Sequence, residues 1–104
     1  MMPKLIRDKI PQIIKSSGKT CIAYVAKQKE YKHFLREKLQ EELNELLEEP
    51  CAEEIADLLE VIHAYANTLG ITKEEIDKVG IAKRDERGGF DCGIILEQVG
   101  DKKF

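Results

Sequence analysis

Apolar residues in the middle of the chain recur every three or four positions, the spacing of an amphipathic helix. At about 100° per residue on a helix, the first stripe consists of Tyr31, Leu35, Leu39, Leu43 and Leu46. The second stripe consists of Ile55, Leu58, Leu59, Ile62, Tyr65, Ala66 and Leu69. Pro50 separates them, and proline disfavours helix in the residue before it but fits the first turn of a new helix. The pattern predicts a central helical hairpin, with helices over about 30–49 and 50–69.

One shorter helix is predicted before the hairpin and another after it. The first begins near Ile10 and ends near Gly18, because a glycine commonly follows a helix. The last begins at a capping box, TKEE at 72–75, and reaches residues 84–86 before a double glycine. The segments 20–26 (TCIAYVA) and 93–99 (GIILEQV) are rich in β-branched residues and predict a small two-stranded β ribbon. The expected fold is therefore all-α, a helical bundle with this ribbon added.

Composition narrows the class of protein. With 104 residues and no linker or repeat, the chain predicts a single domain, 1–104. A net charge of −3 offers no basic surface for a nucleic-acid polymer, and no apolar run is long enough for a membrane span. Three widely spaced cysteines suit a reducing cytoplasm. A small aliphatic core without tryptophan favours a homodimer or higher homo-oligomer.

Four carboxylates lie almost symmetrically around Pro50 and carry the main chemical hypothesis. Glu42 and Glu45 precede it, and Glu54 and Asp57 follow it, each pair at i,i+3 spacing. An antiparallel hairpin would set all four against one small volume, where like charges repel unless a cation or bound protons neutralise them. All-oxygen ligands favour a hard divalent ion, so we expect Mg²⁺, with Mn²⁺ as an alternative.

A solvated acidic helix face is the competing interpretation, because 36% of the chain is charged and glutamate forms helices well. The angular position of Glu42 favours the metal site, since it falls inside the apolar stripe, between Tyr31 and Leu35. Glu45 lies at the edge of the same stripe. The pattern alone leaves both interpretations open.

Two basic segments provide candidate phosphate-binding groups. Lys83 and Arg87 are i,i+4 at the end of the last predicted helix, and Arg7 and Lys9 flank Asp8 near the start of the chain. Arginine binds phosphate oxygens through a two-pronged guanidinium. The alternatives are cations attracted to a helix C-terminus for the first segment, and an Asp8 N-cap with solvated neighbours for the second.

These motifs together resemble a known family. The chain has one ExxE pair (Glu42 and Glu45) and one ExxD pair (Glu54 and Asp57). Two framing segments accompany them, KLIRDKIP at 4–11 and KRDERGGF at 83–90. The combination resembles the all-α nucleoside triphosphate pyrophosphohydrolases of the MazG superfamily, and in particular the small phosphoribosyl-ATP pyrophosphohydrolase-like, or house-cleaning, branch.

The resemblance implies Mg²⁺-dependent hydrolysis of a nucleoside triphosphate, non-canonical or not, or of a phosphoribosyl nucleotide, to monophosphate and pyrophosphate. Glu42, Glu45, Glu54 and Asp57 would bind metal and carry catalysis. Arg7, Lys9, Lys83 and Arg87 would bind the substrate phosphates. Two other classes stay open: a non-catalytic regulator that binds nucleotide or metal on the same scaffold, and a helical interaction protein with solvated acids.

Overall fold

The computed structural model describes residues 3–100 and is all-α, as predicted. Its helices are α1 (Ile10–Ser16), α2 (Gln28–Glu48), α3 (Ala52–Thr68) and α4 (Lys73–Arg87). The chain divides into two compact units, one ending at Thr72 and the other beginning at Lys73. Within residues 3–100, no helix has both the length and the apolar character that crossing a membrane requires.

The first unit is built on the predicted hairpin, in which α2 packs against α3. The two helices are joined by residues 49–51. Pro50 lies in this turn, and Cys51, with extended backbone angles (φ −159°, ψ 167°), is the N-cap of α3. The helix therefore begins two residues later than predicted, because Pro50 serves the turn instead of the first helical position.

The end of α3 explains why the hairpin helix does not run into α4. Gly70 has φ +74°, a left-handed conformation that residues with a Cβ rarely adopt. Its N–H donates to the carbonyl of Asn67, and the N–H of Ile71 donates to the carbonyl of Ala66. This pair of hydrogen bonds is a Schellman motif, which confirms Gly70 as the predicted helix end.

The predicted β ribbon is wrong for the described residues, since neither 20–26 nor 93–99 forms a strand. In the first segment the side chains of Ile22 and Val25 are 103% and 95% exposed, and in the second that of Ile95 is 82% exposed. A two-stranded ribbon is marginal in water unless one face packs on something. Both segments have the β-branched composition of strands, but their exposed side chains do not provide the packed face that a ribbon needs.

Only part of each apolar stripe is covered. Among the described residues, Leu35 and Ala66 are the buried hydrophobic side chains, and Leu43, Ile55 and Leu59 are between 39% and 48% exposed. Within residues 3–100, Glu42 is the single buried charged residue. The best-buried part of the hairpin therefore includes a carboxylate.

Candidate metal site

Three of the four predicted acids meet beside the hairpin turn. Glu42 comes from the last two turns of α2, and Glu54 and Asp57 come from the first two turns of α3. Each residue offers one carboxylate oxygen, and these oxygens lie within 4.8 Å of one another. We call Glu42, Glu54 and Asp57 the acid cluster. The short turn brings the cluster together because it sets the end of α2 level with the start of α3.

Glu42 is the best-buried member of the acid cluster, with 6% of its surface exposed. Its Oε1 lies 3.4 Å from the Nζ of Lys38, one turn earlier on α2, and that ammonium also lies 3.3 Å from the Oε1 of Glu41. The Lys38 side chain is 16% exposed, so this ion pair is largely shielded from water. Lys38 was not among the predicted site residues, although its i,i+4 spacing to Glu42 is visible in the sequence.

Two oxygens of the acid cluster have no hydrogen-bond partner among the described residues. They are the Oε2 of Glu42 and the Oε2 of Glu54, and both are buried from solvent. Buried polar atoms in folded proteins nearly always have a partner, because leaving one unpaired costs about 1–3 kcal/mol. The acid cluster therefore contains two buried carboxylate oxygens that the described residues leave without a hydrogen-bond donor.

The electrostatics of the acid cluster reflect burial and crowding. Burial raises the pKa of Glu42 above its ordinary value, and the charges of Glu45 and Asp57 raise it further, while Lys38 lowers it. Burial also raises the pKa of Glu54, followed by the charges of Glu45, Asp57 and Glu42. Both carboxyls therefore lose their protons less readily than a solvated glutamate, as expected where negative charges are held together.

Glu45 is close to the acid cluster but lies outside the group of three. Its side chain is exposed, and its carboxylate is near enough to Glu54 to raise that residue's pKa. The four predicted acids are therefore not equivalent. Three have oxygens within 4.8 Å of one another, and Glu45 is an exposed charged neighbour that raises the pKa of both Glu42 and Glu54.

Arg7 lies on the acid cluster. Its Nη2 donates to the Oδ1 of Asp57 at 2.6 Å, and the Asp57 hydrogen bond is the main reason why the pKa of Arg7 is raised. Lys4, three residues earlier, approaches the Oε1 of Glu41 at 3.9 Å. The segment before α1 therefore contacts both helices of the hairpin.

Lys9 has a different position from Arg7. It is the N-cap residue of α1 and is exposed, and its side chain makes no capping hydrogen bond. Asp8 is exposed as well and is not the N-cap, so the alternative that Asp8 caps this helix is wrong. Of the first basic segment, the structure brings Arg7 to the acids.

The second basic segment ends α4 and belongs to the second unit. Lys83 and Arg87 are exposed, and neither forms an ion pair within residues 3–100. Arg84, which the sequence analysis did not single out, lies 3.5 Å from the Oδ2 of Asp91. A Cβ added at Gly89 would come within 3.2 Å of the Arg84 guanidinium, so the absence of a side chain at Gly89 gives Arg84 room beside the backbone.

The histidines and cysteines of the described residues do not join the acid cluster. His33 is exposed and its Nε2 lies 2.8 Å from the Oε1 of Glu37. His63 is partly buried with an unpaired Nδ1. The three cysteines are free, and two of them, Cys51 and Cys92, are exposed. The candidate site is therefore a carboxylate site.

An open cleft of about 800 Å³ lies at the opposite end of the hairpin from the acid cluster. It is lined by Gln28, Lys29, Tyr31, Lys32, Ala64, Asn67 and Thr68. At about 1.5 Å of rise per residue, Lys32 is about 15 Å along α2 from Glu42. The cleft is thus a separate feature, and its lining contains no acid of the candidate site.

The donor set of the acid cluster fits a hard divalent cation. Three carboxylates leave several coordination positions for water or phosphate, which is how Mg²⁺ is usually held beside phosphate substrates. Soft ligands that would favour zinc or copper are absent from the group. Comparisons with protein-family models, with curated proteins and with solved structures found no match to this chain.

Proposed function

We propose that this protein is a Mg²⁺-dependent nucleoside triphosphate pyrophosphohydrolase, or acts on a related phosphoribosyl nucleotide. The observation that carries the proposal is the Oε2 of Glu42, which has no hydrogen-bond partner among the described residues although the residue is 94% buried. Lys38 pairs with the other oxygen of this carboxylate, and a divalent cation would supply the missing partner of Oε2, which is costly to leave buried and unpaired. The resemblance of the motifs to pyrophosphohydrolases supports the choice of reaction.

The three converging acids are proposed to hold the metal. Lys38 occupies the Oε1 side of Glu42, which leaves Oε2 available as a ligand beside Glu54 and Asp57. Bound Mg²⁺ would neutralise phosphate charge and lower the pKa of the attacking water. Glu45, exposed and next to Glu54, is the carboxylate proposed to accept that water's proton.

The proposed reaction needs little covalent chemistry from the protein. Water attacks the α-phosphorus, the bond from that phosphorus to the bridging oxygen breaks, and pyrophosphate leaves with the electron pair. Arg7, Lys9, Lys83 and Arg87 are the proposed phosphate ligands, because positioning and charge neutralisation account for most of phosphoryl-transfer catalysis.

The direct test is the identity of the products. The full-length protein is incubated with Mg²⁺ and a panel of canonical and damaged nucleoside triphosphates and phosphoribosyl-ATP, and the products are separated by ion-exchange chromatography. We expect equal amounts of monophosphate and pyrophosphate. Orthophosphate and diphosphate as the first products would reject the assignment. Nucleotide binding without turnover would favour the non-catalytic regulator. If Mg²⁺ does not change the melting temperature of the protein, the helical interaction protein is favoured.

We also propose that the protomer forms a homodimer or higher homo-oligomer in a reducing cytoplasm. The support is the incomplete burial of the hairpin stripes, in which Ile55 and Leu59 are close to half exposed. A second copy would cover such residues, and each well-buried aliphatic side chain contributes about 1.5–3 kcal/mol. Light scattering at micromolar concentration should give at least twice the protomer mass, whereas a monomer would contradict this part of the proposal.

A further inference from the structure

Two cations contact the acid cluster, and they are held very differently. Lys38 is largely buried and sits on the same helix as its partner, Glu42. Arg7 comes from the irregular segment before α1, and its side chain is 56% exposed while that of Asp57 is 38% exposed. Exposed ion pairs are weak, because water screens them and ordering two side chains costs entropy. Arg7 is therefore the more easily released of the two cations.

Arg7 and a divalent cation would compete for the same carboxylate. Asp57 belongs to the group whose oxygens lie within 4.8 Å of one another, and its Oδ1 accepts the guanidinium at 2.6 Å. A cation placed among these oxygens would repel the guanidinium and weaken the negative charge that holds it. Lys38 is held more firmly than Arg7, since its side chain is only 16% exposed and its ammonium also lies 3.3 Å from the Oε1 of Glu41.

We propose that Arg7 is an internal counter-ion of the acid cluster, which a divalent metal displaces from Asp57 and which then binds the substrate phosphate. The proposal rests on the proposed function and adds an order of events to it. Metal binding frees the guanidinium, and the freed guanidinium forms paired hydrogen bonds with phosphate oxygens. Metal and phosphate binding are thereby coupled through one side chain, and by linkage each strengthens the other.

The test compares wild-type protein with Arg7→Gln, and with Lys19→Gln as the matched control. Lys19 is an exposed cation in the same unit that forms no ion pair among the described residues. Isothermal titration with MgCl₂ alone should show about two- to fivefold tighter binding for Arg7→Gln, the range expected when a weak competing pair is removed. Lys19→Gln should match wild type. Structural damage alone would weaken metal binding, so the direction of the change is diagnostic.

A second titration uses inorganic tripolyphosphate in saturating Mg²⁺. Arg7→Gln should bind it about tenfold more weakly, because a charged hydrogen-bond donor has been lost. Arg7→Lys should keep most of the competition with the metal but recover only part of the phosphate affinity, since an ammonium cannot form the two-pronged contact.

The outcomes separate this proposal from the proposed function. If wild-type protein binds no Mg²⁺, both fall. If wild type binds Mg²⁺ and Arg7→Gln binds it equally or more weakly, the counter-ion exchange is overturned while the metal site stands. If Arg7→Gln binds Mg²⁺ more tightly but tripolyphosphate equally well, the transfer of Arg7 to phosphate is overturned. Only tighter metal binding together with weaker phosphate binding supports the exchange.

Discussion

The acidic end of the hairpin and the basic end of α4 both concentrate charge, but they differ in how the charge is held. Glu42 is 6% exposed and has a largely buried ammonium beside it. Lys83 and Arg87 are exposed and make no ion pair within the described residues. A partly buried charge affects the free energy of unfolding, whereas a solvated charge affects it little. Substitutions at the two ends should therefore separate stability from ligand binding.

The largest effect is expected from Glu54→Gln at the acidic end. The neutral amide relieves repulsion within the acid cluster, so the metal-free protein should melt at a higher temperature. The same change should remove most of the Mg²⁺-induced rise in melting temperature and lower turnover by about 100-fold or more. Thermal melts with and without Mg²⁺, and pyrophosphate release, measure these quantities.

Glu53→Gln is the control for this prediction, because Glu53 is the exposed neighbour of Glu54 in the first turn of α3. It should leave both the Mg²⁺ response and the turnover unchanged. If the two variants melt alike in both conditions, the acidic end is a solvated surface, and the contrast with the basic end disappears.

Lys38→Ala should be the most destabilising single change at the acidic end. It leaves the buried Glu42 without its counter-charge, which we expect to lower the free energy of unfolding by about 2 kcal/mol. Urea denaturation of the metal-free protein measures this loss. Arg36→Ala, at an exposed position on the same helix, should change stability by less than about 0.5 kcal/mol. Equal losses in both variants would show that the Lys38 pair has no special role.

Lys83→Ala and Arg87→Ala, at the basic end, should change ligand binding and leave the stability of the free protein unchanged. Both residues are exposed, so melting temperatures without ligand should stay within experimental error of wild type. If these cations bind phosphate, each substitution should weaken Mg²⁺-nucleotide binding by about tenfold. Full activity in Arg87→Ala would withdraw its phosphate role and leave attraction to the helix C-terminus as its explanation.

The smallest effect is a pH dependence confined to the acidic end. The pKa of Glu54 is raised above the ordinary 4.5, so the folded protein holds this proton more tightly than the unfolded chain does. Stability therefore falls as pH rises from about 4.5 through the raised value. Melting curves of metal-free wild type and Glu54→Gln between pH 4 and 7 should diverge with rising pH, with wild type losing more. Parallel curves would mean that Glu54 is solvated.

The sequence predicted the acid cluster because helical periodicity and the turn are local properties. Two apolar stripes and Pro50 are enough to set Glu42 opposite Asp57, and the position of Glu42 within a stripe already indicated burial. The sequence did not predict that Glu45 would fall outside the group of oxygens within 4.8 Å, because that depends on how far the two helices are rotated where they meet. Angles of 100° per residue describe one helix and do not fix the contact between two.

The failures came where tertiary contact decides the outcome. Segments 20–26 and 93–99 have strand composition, yet composition does not supply the packed face that a ribbon needs. The contact from Arg7 to Asp57 joins residues that are 50 positions apart, and nothing in the local pattern pairs them. The Arg84 contact beside Gly89 depends on backbone geometry after the helix end.

The three-residue turn between α2 and α3 also bears on how the chain folds. Closing a short loop costs little entropy, and folds with local contacts form faster than those built from distant ones. Glu42 and Asp57 are only 15 positions apart, so the hairpin is among the earliest tertiary structures that this chain can form. If the hairpin forms this early, repulsion among the acids opposes folding from the start, and a cation that binds them would offset that repulsion.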